Sequence, residues 1–350
     1  MIRHFLSKIY ESVVNKRNCK FQNAIIYPPD NIPSNEKFFK VRYKAKIISI
    51  GNLSAGGTGK TPLVIEIINN YLPKDKAVCV IGRNYKAKSS TDDVITGIDE
   101  NGNRTSPSLL GDEMYLIQSK TRAIAVSGKT KYVNAAFAEK LFHPDIIIID
   151  DGFQHQWISR DLDIVIIDKN TVDKPFVFPR GRLREPLTSL IRADVIMYPE
   201  FCDISKIQPF LKNDVIICKF KIISDNIYRL FQENQISDNL LNNIKFLPIV
   251  GIANPNRFLN SLDELKINYD KNNLRIFDDH HNYDINDIKS ISALAKKTNS
   301  QIITTEKDAV KISLFKEYFL ENNISIYVLP IRFKIITNQD KLIERINAIF

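Results

Sequence analysis

Short apolar runs rich in β-branched residues alternate, along the first 200 residues, with longer stretches of helical period. The runs are Lys46 to Ile50, Ala77 to Ile81, Ala123 to Val126, Asp145 to Ile149, Ile164 to Ile167 and Val195 to Met197. They are apolar throughout rather than alternating, which predicts strands covered on both faces. With the helical stretches between them they predict βαβ units: an α/β fold with a mostly parallel sheet sandwiched by helices. A second series, Val215 to Cys218, Phe246 to Val250, Leu274 to Phe277, Gln301 to Thr304 and Ser325 to Leu329, predicts a second, smaller α/β domain. A boundary between Pro199 and Pro209, after the Pro-rich segment Pro175 to Pro186, gives domains of 1–200 and 201–350. Residues 221–245 are polar and Asn-rich and read as a surface excursion. The chain has no internal repeat.

Ahead of the first strand, Ile2, Phe5, Leu6, Ile9, Tyr10, Val13 and Val14 recur at spacings of three and four, one apolar face of a helix. Seven of the nine net positive charges fall in residues 1–46, where ten Lys or Arg oppose Glu11, Asp30 and Glu36. A basic amphipathic helix suits an anionic lipid surface. On periodicity alone, packing on the chain's own domain is the commoner outcome. Nothing interleaves aromatic and basic residues as a nucleic-acid site would, so no nucleic-acid partner is expected, and no obligate protein partner is evident.

At 350 residues the chain is too long for one core, and 44% apolar with 25% charged residues excludes disordered, collagen-like and disulfide-scaffold classes. The longest aliphatic run, Ile146 to Ile149, falls far short of the roughly 20 residues a spanning helix needs. The N-terminus lacks the apolar core of a secretory signal. Cys19, Cys79, Cys202 and Cys218 are widely spaced with no CxxC pair, which argues against structural zinc and fits a reducing cytosol.

The segment IISIGNLSAGGTGKTP, residues 47–62, carries the clearest chemistry. A buried strand runs into a glycine-rich turn, and Gly59-Lys60-Thr61 opens a helix whose Leu63, Val64, Ile65, Ile67 and Ile68 can bury against the sheet. Residues Ser54, Ala55, Gly56, Gly57, Thr58 and Gly59 form a loop whose amides can cradle phosphate oxygens at a helix N-terminus. Lys60 is placed for the β- and γ-phosphates of ATP, and the Thr61 hydroxyl for Mg2+. The strict P-loop pattern has Gly at the first position, where this chain has Ser54.

Four isoleucines then end in Asp150-Asp151, the form of a strand delivering a carboxylate to the metal that bridges those phosphates. Asp150 is expected to hold magnesium, with Asp151 and residues Gly152 to His155 facing the reaction space. Transfer also needs a group to orient the acceptor and cations to offset developing charge. Gly111-Asp112-Glu113, Arg83, Arg182, Arg184 and Asp279-His280-His281 are candidates that spacing alone does not separate.

These motifs occur in a fixed order: GNLSAGGTGKTP, GDE (111–113), DDGFQH (150–155), RDLDIVIID (160–168), GRLREP (181–186), GIANPNRF (251–258), DHHNY (279–283) and TTEKDAVK (304–311). From about residue 40 to 335 the chain closely resembles the tetraacyldisaccharide 4'-kinases, the lipid A kinases of Gram-negative bacteria. The resemblance implies MgATP-dependent phosphorylation of the 4'-hydroxyl of tetraacyldisaccharide 1-phosphate, giving lipid IVA. It also implies a peripheral enzyme on the cytoplasmic face of the inner membrane, with residues 1–20 against anionic lipid. By motif, Asp112 resembles the catalytic base, paired with the DHH histidine, His280. Asp150 and Asp151 correspond to the family's acidic pair, and Arg184 and Glu185 to its Arg-Glu pair near phosphate and metal. Gly82-Arg83-Asn84-Tyr85 stands where the family has Ser-Arg-Gly-Tyr, and Met114 where Pro follows GDE. Competing readings are a P-loop ATPase of the partitioning or metallochaperone type, and a nucleotide-binding regulator without turnover. Ser54 and Ala55 leave the first without its second basic loop residue.

Overall fold

The computed structural model describes residues 2–83, 94–99, 101–232, 241 and 243–350. It divides into two compact units, Met1–Lys221 with Phe333–Phe350, and Ile222–Arg332. The expected boundary, after residue 200, lay earlier than Lys221 and gave the whole C-terminus to the second domain.

In the first unit, β1 (Ile25–Tyr27) and β2 (Phe39–Val41) form a parallel pair. The main sheet contains β3 (Lys46–Asn52), β4 (Val78–Gly82), β5 (Ile95–Thr96), β6 (Ile124–Ser127), β7 (Ile146–Asp150), β8 (Leu162–Ile166), β9 (Val195–Pro199) and β10 (Ile216–Ser224). In the second unit lie β11 (Tyr228–Arg229), β12 (Phe246–Val250), β13 (Arg275–Ile276), β14 (Gln301–Thr305) and β15 (Ile326–Leu329), and β16 (Ile331–Ile335) returns to the edge of the main sheet. The main order is β16-β10-β9-β8-β3-β7-β4-β6-β5. Neighbours from β10 through β6 all run parallel, and β5 is antiparallel to β6. Six of these strands coincide with the six apolar runs of the sequence.

Val215 to Cys218, read as the first strand of the second domain, instead pairs with β9. A short apolar run carries no mark of which sheet it will join, and pairing decides it. The stretch 221–245 is not wholly an excursion, since it contains the end of β10 and all of β11, with Ile227 buried. Residues 233–240 and 242 lie outside the described residues, as do Asn84 and Tyr85.

β3 sits between β8 and β7 at the centre of the sheet, and Ile146 to Ile149 of β7 are wholly buried. Each such side chain contributes about 1.5–3 kcal/mol, so the strand ends that carry the site are held rigidly. The chain passes from β3 to β4 on one side of the sheet and later to β8 on the other. In open parallel sheets such a reversal opens a crevice beyond the carboxyl ends of the strands. The second unit has its own sheet, β11-β15-β14-β12-β13, with two clusters of buried apolar side chains.

The N-terminal helix Ile2–Gln22 forms as the periodicity predicts, but it docks by a different face. Ser7, Val14, Asn18 and Phe21 are buried, whereas Ile2, Phe5 and Val13 are 77%, 65% and 60% exposed. No helix among the described residues is long and apolar enough to cross a membrane.

Candidate active site

The glycine-rich loop leaves the carboxyl end of β3 and closes on the helix Lys60–Glu66. Gly56 and Gly59 take φ of 126° and 94°, a left-handed backbone that side chains other than glycine disfavour by roughly 1–2 kcal/mol. At Gly56 an added Cβ would stand 2.6 Å from Arg182 Nη2, so the guanidinium lies directly over the loop. Gly56→Ala is therefore expected to weaken ATP binding about 10-fold, measured by equilibrium titration, through backbone strain and displacement of Arg182.

Ser54, the departure from the strict pattern, is fully buried and its hydroxyl donates to Asp168 Oδ2 at 2.9 Å. Asp168 also caps the helix Lys169–Asp173 by accepting from the Thr171 amide. Ser54 thus anchors the loop to the end of the RDLDIVIID segment, and the hydroxyl supplies what glycine would not. Thr58 is held similarly, its hydroxyl accepting from Asn52 Nδ2 at 2.8 Å.

The next strand, β7, delivers Asp150 and Asp151 to the same edge. Asp151 adopts φ 49° and lies between two cations, Lys60 Nζ at 3.4 Å and Arg184 Nη1 at 2.8 Å. Burial by itself would raise the Asp151 carboxyl, but Lys60, Lys131 and Arg184 together outweigh it and hold the group well below the usual carboxylate range. Asp150 differs. Burial, with Glu113 adding like charge, pushes it up to about 6 against the pull of Lys60.

No motif had marked Lys131. It opens the helix Lys131–Phe142, is buried, and donates from Nζ to the carbonyls of both Asp150 and Asp151. Burial lowers its ammonium to about 8, against the stabilising pull of Asp151 and Asp150. The contact fixes the turn that gives Asp151 its left-handed backbone, and a lysine outside every recognised motif offers no sequence signal for that.

The turn after Asp151 divides its side chains. Gln154 stays with the site, donating to Asn52 O at 2.8 Å. Phe153 is wholly buried beneath the Arg192 guanidinium, and His155 packs between Tyr132 and Trp157. The expectation that residues 152–155 all face the reaction space does not hold for these two, because their rings complete the core. Burial, with Lys131 and Arg160, pushes the His155 imidazole far down, so it is neutral.

Asp112 begins the helix Asp112–Lys120, directly after Gly111 at φ 90°. That helix packs against the helix Lys60–Glu66, and the charge of its second residue, Glu113, reaches Asp150. The GDE segment therefore lies at the same end of the first unit as the loop and the aspartates. His280 belongs to the second unit, at a turn where it takes φ 58°, with Nε2 3.9 Å from Asp279 Oδ1. Its neighbour His281 bonds Asp287 Oδ2 at 2.8 Å and stacks on Phe277, a role in holding that turn together.

For magnesium, Asp150 Oδ1 is buried with no hydrogen-bond partner among the described residues, an acceptor suited to a cation. Thr61 is buried at the start of the helix that packs on β7. No three His, Cys, Asp or Glu side chains converge on a metal site among the described residues. Mg2+ takes one or two protein oxygens and completes its shell with phosphate and water. Glu185 stands apart from this set. It is wholly buried, and its carboxylate is shared by Arg17, Asn18 and Arg192.

A central parallel strand feeding a glycine cradle, with the neighbouring strand presenting acidic side chains, defines a P-loop nucleotide-binding protein equipped for phosphoryl transfer. Within that class, the profile of the LpxK family, tetraacyldisaccharide-1-P 4'-kinase, matches residues 4–350. The chain belongs to this family. Similar relatives include the tetraacyldisaccharide 4'-kinase of Halothermothrix orenii, 32% identical over 94% of this chain and 88% of that protein. The enzyme of the same name from Desulfotalea psychrophila is 32% identical over 99% and 96%. The crystal structure of the "apo" form of LpxK from Aquifex aeolicus in complex with ATP superposes with a TM-score of 0.76 at 25% identity, covering all of both chains.

Proposed function

We propose that the first unit binds ATP through residues 54–61 and transfers its γ-phosphoryl group to the 4'-hydroxyl of a tetraacyldisaccharide 1-phosphate. Family membership makes the chain an ATP-dependent kinase of an acylated disaccharide. The assignment of residues is our own reading. The observation that carries it is Asp151 held between Lys60 and Arg184 at the mouth of the glycine cradle.

In this reading the loop amides and Lys60 bind the β- and γ-phosphates. Arg184, with Arg182 above Gly56, offsets charge that grows on the transferring group. When bound, magnesium offsets phosphate charge, and Asp150 with Thr61 are the residues that would hold it. The sugar hydroxyl is a weak acid, so Asp112 takes its proton as the new oxygen–phosphorus bond forms and the bond to the β-phosphate oxygen breaks. His280 is retained as a proton-handling group on its DHHNY motif. Mixing the full chain with γ-labelled ATP and acylated disaccharide 1-phosphate tests the reading. Label on the lipid supports it, and ATP hydrolysis without lipid labelling favours the partitioning-type ATPase.

The substrate's acyl chains keep it in a membrane, each buried CH2 being worth about 0.8 kcal/mol. We place the enzyme peripherally on the cytoplasmic face of an inner membrane, docked by the exposed face of the N-terminal helix. That face presents Ile2, Phe5, Leu6, Ile9 and Val13 outward beside Lys8 and Lys16. Combining Phe5→Ser, Ile9→Ser and Val13→Ser, which leaves the buried residues intact, is expected to lower retention on anionic vesicles about tenfold or more in flotation. Full retention would assign docking to another surface.

A further inference from the structure

Glu185 is the most completely buried carboxylate near the site, and its oxygens are taken. Oε1 accepts from Arg17 Nη2 at 2.6 Å, and Oε2 from Arg192 Nη2 at 2.7 Å and Asn18 Nδ2 at 3.2 Å. Asn18 is itself clamped, donating to Ser189 Oγ at 3.2 Å and accepting from Gln156 Nε2 at 2.7 Å. Two of the three donors to Glu185 come from the N-terminal helix.

The same helix meets the GRLREP segment once more, through Tyr10 to the Arg184 carbonyl at 3.0 Å, and the stretch just before it through Ser7 to the Val177 carbonyl at 2.9 Å. This docking face joins polar Ser7 and Asn18 to apolar Val14 and Phe21, so directional bonds fix the geometry of a contact that apolar burial also stabilises. From Glu185 the connection continues inward. The Arg184 amide donates to Leu53 O at 2.7 Å, the Ala55 amide to Arg182 O at 2.9 Å, and Ser54 bridges antiparallel to Leu183. The GRLREP segment is thus laid along the start of the phosphate loop, and the Arg184 side chain reaches Asp151.

We propose that Glu185 is a positioning residue rather than a magnesium ligand. Arg17 and Asn18 of the N-terminal helix hold it so that Arg184 and the first residues of the phosphate loop keep their places. A carboxylate this buried is stable only with its cations in place, so losing Arg17 loosens the segment that carries Arg184. The helix therefore serves the site with one face while presenting its apolar face outward. The inference rests on the reading of Arg184 and Asp151 as site residues.

The test compares full-length Arg17→Met, Arg17→Lys and Glu185→Gln with the parent chain. The readouts are kcat, KM for ATP and the half-saturating Mg2+ concentration, with acylated disaccharide in detergent, and amide exchange at residues 53–55 and 182–185. Arg17→Met is expected to lower kcat about 10- to 100-fold, with KM for ATP and the Mg2+ requirement within about twofold. Exchange should quicken in both segments, and Arg17→Lys should recover most of the rate. Glu185→Gln should follow the Met variant, and if it fails to fold the two Arg17 variants decide the matter. Parental kcat and exchange in Arg17→Met would overturn the proposal. So would a Glu185→Gln chain that needs about tenfold more Mg2+ while exchanging as the parent does, the signature of a metal ligand. A parent chain that labels no lipid would refute the kinase reading instead, and the exchange comparison would still decide the link.

Discussion

Asp112→Asn is expected to lower kcat by ~10²- to 10⁴-fold while the ATP dissociation constant stays within about threefold. Asparagine keeps the size and shape of the side chain but cannot take a proton, so the variant removes general-base action and little else. The position favours a carboxylate, since Asp112 is the first residue of its helix, where the backbone dipole stabilises negative charge. The phosphate-binding groups lie on other elements, which is why nucleotide affinity should survive. Single-turnover transfer from labelled ATP, paired with direct nucleotide titration, separates the two effects. Unchanged turnover would remove Asp112 from the mechanism, and an equal loss in affinity and rate would make it a structural residue of the loop.

Lys60→Met should behave differently, lowering kcat by ~10²- to 10³-fold and weakening ATP binding as well. The ammonium faces Asp151 at 3.4 Å and opens the helix on which the phosphates would rest, so it acts in both ground and transition states. It is also the foremost of the cations that keep Asp151 ionised despite burial. Methionine preserves the length of the stem and removes only the charge. Steady-state kinetics over a range of ATP concentrations distinguishes this pattern from that of Asp112→Asn. A rise in KM with kcat intact would limit Lys60 to binding.

The P-loop was legible because its determinants are local: a buried strand, glycines free to turn left-handed, and Lys60-Thr61 at a helix start. Asp150 was legible because four isoleucines ending in an aspartate mark a strand edge. Asp112 and His280 emerged only through motif order, since one carboxylate in a loop resembles any helix cap. Lys131 was not legible at all. Its importance comes from two carbonyls about twenty residues downstream, which no spacing rule connects to it.

The helix Ile2–Gln22 shows a further limit. Period identifies two faces of a helix, but not which face meets the protein. Here Ser7 and Asn18 turn inward because partners wait for them at Val177, Glu185 and Ser189, while the richer apolar stripe points outward. Glu185 illustrates the same point for charge. Its motif suggested a metal, yet its partner Arg17 lies 168 residues away in sequence.

Composition, periodicity and glycine placement were enough to specify the strands of a parallel α/β fold, its phosphate loop and the acidic strand end, because each of those is encoded within a few consecutive residues. Folding assigned the rest: Val215 to Cys218 to the first sheet, Ser54 to Asp168, Lys131 to the turn at Asp151, and Glu185 to the N-terminal helix. The first turns on strand pairing, and the others on which buried polar group finds a partner. A buried charge or hydroxyl is stable only when the fold brings its counterpart from a distant part of the chain.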